Sequence, residues 1–256
     1  ALLLGFNLKE AGAIGVIGAA DGPTTIYVGS AFGLSKGIMG PLTVAAYSYM
    51  SLVPIIQPPV IKALTTKKER QIRMNFKQRE VSKLTRIIFP IIVTVIAGII
   101  APESVALIGA LMFGNLIREC GVLSRLSETA QTTLANLVTI LLGITIGTTM
   151  TAEDFLTKNT LLIMLLGLVA FIFDTAGGVL FAKFLNLFRK EKINPMVGAA
   201  GISAFPMSAR VIQKLAKEED PHNFILMQSV AANVSGQLGS VIAGSMILVL
   251  IGRLAG

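Results

Sequence analysis

Three apolar stretches, residues 87–101, 134–150 and 161–180, contain one charged side chain between them, Asp174. A soluble core of this size would show polar faces at helical spacing on most segments, and these stretches do not. Their length and density suit helices buried in a bilayer. Composition agrees, with 53% hydrophobic and 14% charged residues, where an ordinary soluble domain is about a quarter charged. The expected fold class is an all-α polytopic membrane protein: a transporter-like helical bundle forming one integral-membrane domain over residues 1–256.

The formal charge of +8 could suggest a nucleic-acid partner, but the excess is concentrated. Between Lys67 and Arg86 stand eight basic residues against Glu69 and Glu80, a local charge of +6. That cluster, the loop 65–86, lies between two apolar spans and reads as a cytoplasmic loop under the positive-inside tendency. No nucleic-acid partner is expected. Residues 118–128 and 186–192 carry the next basic concentrations and fall on the same side if each intervening span crosses once. Cys120 is the single cysteine and cannot form an internal disulfide. One Cys and one His cannot build a zinc-type site, and no phosphate-cradling glycine loop indicates direct use of ATP. No basic signal sequence precedes the first apolar segment, and the chain begins at Ala1 without methionine, so further sequence upstream is expected.

Spans are expected at about 11–33, 41–64, 87–101, 103–116, 130–150, 160–184 and 224–253. Polar connections are expected at 151–159 ("TAEDFLTKN") and 214–223 ("KLAKEEDPHN"). Two segments depart from the pattern. In "GAIGVIGAADGPTTIYVG" (12–29) an aspartate, a glycine and a proline interrupt a run of small and apolar residues, and 195–213 is likewise broken by glycines and Pro206. A shift of 183 superposes them, pairing Gly15 with Gly198, Gly18 with Gly201, Pro23 with Pro206 and Val28 with Val211. Each is followed by a span carrying polar residues: Tyr47, Ser48, Tyr49 and Ser51 after the first, Asn233, Ser235, Gln237 and Ser240 after the second. The segments are read as discontinuous or re-entrant internal repeats, with repeat-like halves at about 11–64 and 195–253. Charge alone leaves open whether the two are inverted.

Paired, interrupted hydrophobic segments point to a substrate or ion site at the membrane midplane. Breaking a helix there frees backbone carbonyls and amides, which is tolerable where they line a polar cavity. Freed carbonyls beside a carboxylate suit a hard cation. Asp21 at that depth costs about 2.5–3.5 kcal/mol on insertion scales, so it is read as a functional residue. Its alternative role is to cap the half-helix after Gly22 by accepting an amide near Thr24 or Thr25, and both roles can hold together. Asp174 either serves an ion path or proton relay or pairs with a neighbouring helix, and Ser235 is grouped with it as a possible secondary polar site. Asn233 and Ser240, seven apart, share a helix face and either offer oxygens to a cation or bond between helices. Tyr47 is either an interfacial anchor or a proton-carrying hydroxyl.

The stretches "GAADGPTTIYVGS", "AAYSYMSLVPIIQPPVIKALTTKKER", "GNLIRECGVLSRLSETAQ" and "INPMVGAAGISAFPMSARV" resemble the β subunit of the biotin-dependent, sodium-translocating decarboxylases acting on oxaloacetate, methylmalonyl-CoA or glutaconyl-CoA. The resemblance runs through essentially the whole chain and implies the C-terminal majority of such a subunit. It implies a membrane subunit that decarboxylates carboxybiotin, with CO2 release coupled to Na⁺ export and proton consumption. It further implies an α carboxyltransferase subunit, a biotin carrier protein or domain, a small γ membrane subunit, several β subunits per complex, and a bacterial or archaeal cytoplasmic membrane. Na⁺ and carboxybiotin held by a partner are the implied small molecules. On this resemblance Asp21, Asn233 and Ser240 fall on the ion-binding positions, and Tyr47 and Ser240 on the catalytic ones. Two other readings compete. One is a stand-alone ion-coupled secondary transporter or antiporter. The other is a scaffold subunit whose polar residues only hold helices together.

Overall fold

The first interruption is written into the backbone. Asn7 and Glu10 form a capping box that starts helix α1 (Leu8–Val16). The chain then tightens into a 3₁₀ turn (Ile17–Ala19) and reverses at Ala20, whose φ of 51° lies in the left-handed region. A non-glycine residue there costs about 1 kcal/mol. Asp21 caps α2 (Gly22–Ala31), with Pro23 in its first turn, where proline's missing N–H costs nothing. The computed structural model describes residues 1–74, 81–100, 102–148 and 157–255.

Helix α3 (Lys36–Leu64) continues through four prolines, Pro41, Pro54, Pro58 and Pro59. A single turn, α4 (Lys67–Arg70), follows, then α5 (Lys83–Ile100), a 3₁₀ turn at Pro102–Ser104 and α6 (Val105–Cys120). Helix α7 (Ser124–Thr129) passes through one π turn (Ala130–Leu134) into α8 (Ala135–Gly147). Helix α9 (Lys158–Phe188) leads to a 3₁₀ segment (Pro195–Gly201), α10 (Met207–Glu219) and α11 (Leu226–Ala255). No strand occurs among the described residues.

Five of these stretches are long and apolar enough to cross a membrane: Lys36–Leu64, Lys83–Ile100, Ser124–Gly147, Lys158–Phe188 and Leu226–Leu254. The chain is an all-α polytopic membrane protein. Their large exposed side chains, such as Ile92, Ile96 and Ile99 on α5 and Leu137, Ile140 and Ile144 on α8, would be a liability in water and are ordinary in lipid. The core lies elsewhere. Ile14, Ile17, Val28, Leu42, Tyr49 and Ile163 form one buried cluster, and Ile61, Val179, Met196, Ile212 and Leu215 a second.

Ion pairs fix which termini share an end of the bundle. Lys183 meets Glu69 at 3.0 Å, Lys62 meets Glu218 at 3.8 Å, and Arg86 meets Glu119 at 3.3 Å. The three basic regions expected on one side therefore do lie at one end. That end is tied by side-chain amides: Asn194 Nδ2 donates to the carbonyls of Arg70 and Ile72 at 2.8 and 2.9 Å, while Arg70 Nε meets Glu219 at 2.7 Å.

With the ends assigned, both interrupted segments are re-entrant, and they enter from opposite ends. Helix α1 begins at the end away from the basic loops, where Gly12 packs against Phe32, Ile247 and Ile251. It descends to Ala20, and α2 returns to the same end, where the Tyr27 hydroxyl donates to the Glu103 carbonyl at 2.9 Å. The second segment leaves the basic end at Asn194, turns at residues 202–206 and returns through α10 to Glu219. The tips meet where the Ser203 amide donates to the Ala19 carbonyl at 2.9 Å. The sequence-level repeat does not by itself specify this arrangement.

Several expected boundaries move. Residues 214–219 of the expected polar connection are helical, because Leu215 and Ala216 are buried and continue the apolar face of α10. The loop expected at 118–128 shrinks to residues 121–123, with Arg118 inside α6 and Arg125 inside α7. Residues 75–80 of the basic loop and 151–156 of the acidic-leaning connection lie outside the described residues.

Candidate functional site

Asp21 stands at the first tip because a helix must begin there, and a helix beginning inside a protein needs its amides satisfied. The Thr24 amide donates to Asp21 Oδ1 at 3.0 Å, and the Thr25 hydroxyl to the Asp21 carbonyl at 2.7 Å. The capping role is thus present. It uses Oδ1 and leaves Oδ2 to other groups.

Three hydroxyls converge on Oδ2. Thr24 donates at 2.8 Å from the same half-helix, Ser203 at 3.0 Å from the opposing tip, and Ser240 at 2.5 Å from α11. Asp21, Thr24, Ser203 and Ser240 are all buried. No cationic side chain pairs with the carboxylate among the described residues. The N-terminus of α2 supplies a partial positive charge to it instead.

Asn233 lies two turns before Ser240 on α11 and is fully buried. Its Nδ2 donates to the Ile202 carbonyl at 2.6 Å, at the second tip, while its Oδ1 has no hydrogen-bond partner. The close passage of α11 past this tip depends on Gly236, where a Cβ would stand 2.1 Å from the Gly201 carbonyl oxygen. Tyr47, half-buried on α3, lays its ring on Gly22, beside Asp21; a Cβ there would be 2.5 Å from Cζ. The Tyr47 hydroxyl makes no hydrogen bond among the described residues. Tyr49, two residues on, is instead buried, with its hydroxyl donating to the Met164 carbonyl.

Asp174 is exposed, in the middle of α9, and shares a cavity of about 370 Å³ with Ser240. Ser235 faces away from the cluster, exposed, with its hydroxyl donating to the Ala231 carbonyl at 2.9 Å. The arrangement therefore brings Asp21, Tyr47, Asn233 and Ser240 to one region and leaves Ser235 outside it.

Residues not singled out from the sequence complete the region. Ser203 and Thr24 supply two of the three hydroxyls. Gln57, fully buried on α3, donates to the Ala199 carbonyl at 2.9 Å and accepts from the Ser208 hydroxyl at 2.9 Å, clamping both legs of the second re-entrant segment. Thr24 and Ser203 are among the polar residues within three positions of Pro23 and Pro206, a signal the sequence does carry. Gln57 offers a plainer signal, a lone amide between Pro54 and Pro58.

Chemically this is a hard donor set: one carboxylate, three hydroxyls and an amide oxygen, enclosed where two helix breaks meet. Such oxygens suit alkali and alkaline-earth cations better than soft metals. No group of three or more His, Cys, Asp or Glu residues that could hold a metal occurs among the described residues.

The family described as the Na⁺-transporting oxaloacetate decarboxylase beta subunit matches residues 1–251. The chain is 52% identical over 247 residues to the methylmalonyl-CoA decarboxylase subunit beta of Propionigenium modestum, covering 96% of this chain and 62% of that one. It is 50% identical over 252 residues to the glutaconyl-CoA decarboxylase subunit beta of Acidaminococcus fermentans, covering 98% and 66%. It is 50% identical over 246 residues to the oxaloacetate decarboxylase beta chain 2 of Salmonella typhi, covering 96% and 56%. The chain thus spans less than two thirds of the length of each of these relatives.

Proposed function

Since this chain belongs to the Na⁺-transporting oxaloacetate decarboxylase β-subunit family, we propose that it acts in the membrane subunit of a sodium pump, with Asp21 as the seat of the transported ion. The pump draws its energy from decarboxylating a carboxybiotin delivered by a biotin carrier protein or domain. That biotin is charged by an α carboxyltransferase subunit, and a small γ subunit and further β copies complete the complex in the cytoplasmic membrane. ATP takes no part.

One observation carries the reading. Hydroxyls from three separate elements, Thr24, Ser203 and Ser240, converge on one carboxylate oxygen of the buried Asp21. A carboxylate that only capped α2 would need the Thr24 contacts alone. The two re-entrant tips come from opposite ends of the bundle, so a modest separation of either tip from its neighbours would open the seat toward one side.

The residues divide the work as follows. Asp21, Ser203, Ser240 and Thr24 supply oxygens to Na⁺, with the free Asn233 Oδ1 as a further donor at the second tip. Decarboxylation breaks the N–C bond of carboxybiotin. Its electron pair stays on nitrogen, CO2 departs, and the nitrogen takes up one proton. Tyr47 supplies that proton through its unengaged hydroxyl, or Ser240 through the hydroxyl it shares with Asp21; each becomes more acidic when a cation sits beside it. Sodium and the proton then compete for one negatively charged place, and occupation by either weakens the other.

The test is Asp21→Asn in the complete complex reconstituted into vesicles. Loss of both Na⁺-stimulated decarboxylation and avidin-sensitive Na⁺ uptake is expected. Undiminished Na⁺ coupling overturns the assignment of the seat. Na⁺ flux through this chain without a biotinylated partner, insensitive to avidin, favours a stand-alone carrier instead.

A further inference from the structure

Asp174 is a second carboxylate at membrane depth, about 24 Å from the start of α9 and about 21 Å from its end at 1.5 Å per residue. It makes no hydrogen bond or ion pair among the described residues, unlike Asp21. The cavity beside it, about 370 Å³, runs between α1, α9 and α11 and reaches Ser240, the residue whose hydroxyl touches Asp21 Oδ2 at 2.5 Å. Small residues line it: Gly15, Gly18, Ala243 and Gly244. At Gly15 nothing lies within 4 Å of where a Cβ would stand, whereas Gly18 is packed against the Ala170 backbone. Along this one wall the cavity is therefore open at Gly15 and close-packed at Gly18.

We propose that Asp174 and the cavity it shares with Ser240 form the approach by which Na⁺ reaches and leaves Asp21, with Asp174 as a first carboxylate station. This rests on the reading of Asp21 as the ion's seat. The cavity is large enough for a cation with part of its water shell. It ends on a hydroxyl already bonded to the seat, so the ion can exchange water for Ser240 and then for Asp21. A negative charge between low-dielectric walls concentrates counter-ions and raises their rate of arrival by about ten- to a thousandfold. A carboxylate that only joined helices would have a donor on a neighbouring element, and Asp174 has none among the described residues.

Two measurements on the complete complex in proteoliposomes test this. In a Cys120→Ser background, Gly15→Cys is exposed to a charged, membrane-impermeant thiol reagent. Modification from one side of the membrane, slowed by Na⁺ but not by an impermeant organic cation, is expected, and Asp174→Asn should abolish the slowing. No modification from either side, or modification indifferent to Na⁺, overturns the proposal. In turnover, Asp174→Asn should raise the Na⁺ concentration for half-maximal rate about tenfold, with Asp174→Glu restoring most of it. An unchanged half-saturation, or a loss confined to the maximal rate, also overturns it. The labelling readout separates this proposal from its premise: if Asp21→Asn keeps Na⁺ coupling, the seat is elsewhere, whatever Gly15→Cys reports about the cavity.

Discussion

The Ser203 hydroxyl donates to Asp21 Oδ2 at 3.0 Å across 182 residues of sequence. This bond joins the tips of two re-entrant segments that enter the bundle from opposite ends, and a second bond beside it, from the Ser203 amide to the Ala19 carbonyl at 2.9 Å, fixes their register. An ion seat built this way belongs to neither segment alone. Moving either one takes an oxygen away from it.

Ser203→Ala removes that oxygen and leaves the backbone bond in place. If that oxygen is one of the ligands to Na⁺, apparent Na⁺ affinity should weaken by about tenfold, equivalent to about 1.4 kcal/mol. The Na⁺ dependence of decarboxylation measures it. Ser235→Ala, on the same helix as Ser240 but outside the cluster, should leave the dependence unchanged.

Tyr47→Phe keeps the ring that packs on Gly22 and deletes only the hydroxyl. If that hydroxyl supplies the proton, decarboxylation should fall about a hundredfold or more, while the thermal unfolding midpoint of the detergent-solubilised complex stays where it was. A fall in both would assign the residue to packing.

Gly236 and Gly239 provide a matched pair one turn apart on α11. A Cβ on Gly236 would meet the Gly201 carbonyl oxygen at 2.1 Å, and one on Gly239 meets nothing within 4 Å. Gly236→Ala should destabilise by at least about 1–3 kcal/mol, since backbone cannot step aside. Gly239→Ala should be neutral or stabilise by up to about 1 kcal/mol. Thermal unfolding of both variants decides.

How far the sequence anticipates the fold differs from residue to residue. Asp21, Gly22 and Pro23 mark the first break because each acts locally: a carboxylate that caps, and a proline acceptable in a first turn. Whether the broken segment crosses or turns back is not local. Short runs of small, apolar and hydroxyl residues on either side of the break fit both, and the contacts of Gly12 with Ile251 and of Tyr27 with Glu103 distinguish them. Proximity to Pro206 alone does not single out Ser203, because serine in a glycine-rich apolar run is common and its partner Asp21 is 182 residues away. Lys214–Glu219 reads as a loop because its polar residues outnumber its apolar ones, yet Leu215 and Ala216 are enough to hold that turn of α10 down. The span expected at 41–64 is a single helix despite its prolines: interior prolines ordinarily end a helix, and the surrounding packing keeps α3 going.

At the basic end, pH should act on one strap. Arg73 donates to Asp220 Oδ2 at 2.7 Å and the His222 amide to Oδ1 at 3.0 Å; the Arg73 bond, above all, holds the Asp220 carboxyl below the usual carboxylate range. A depressed carboxyl contributes stability that is complete above the ordinary pKa of about 3.9 and is lost as pH falls through its lower folded value. A nitroxide at position 222 should therefore stay ordered at neutral pH and gain mobility below about pH 4. With Arg73→Ala it should be mobile already at neutral pH.

The most direct test of Asp21 as the place where Na⁺ and H⁺ displace each other is the pH dependence of Na⁺ binding to the purified complex. The predicted result is release of protons on Na⁺ addition, with affinity weakening as pH is lowered and approaching about tenfold per pH unit where the proton prevails. Both effects should disappear in Asp21→Asn. Na⁺ binding that releases no protons, or that keeps its affinity and pH dependence in Asp21→Asn, contradicts the account.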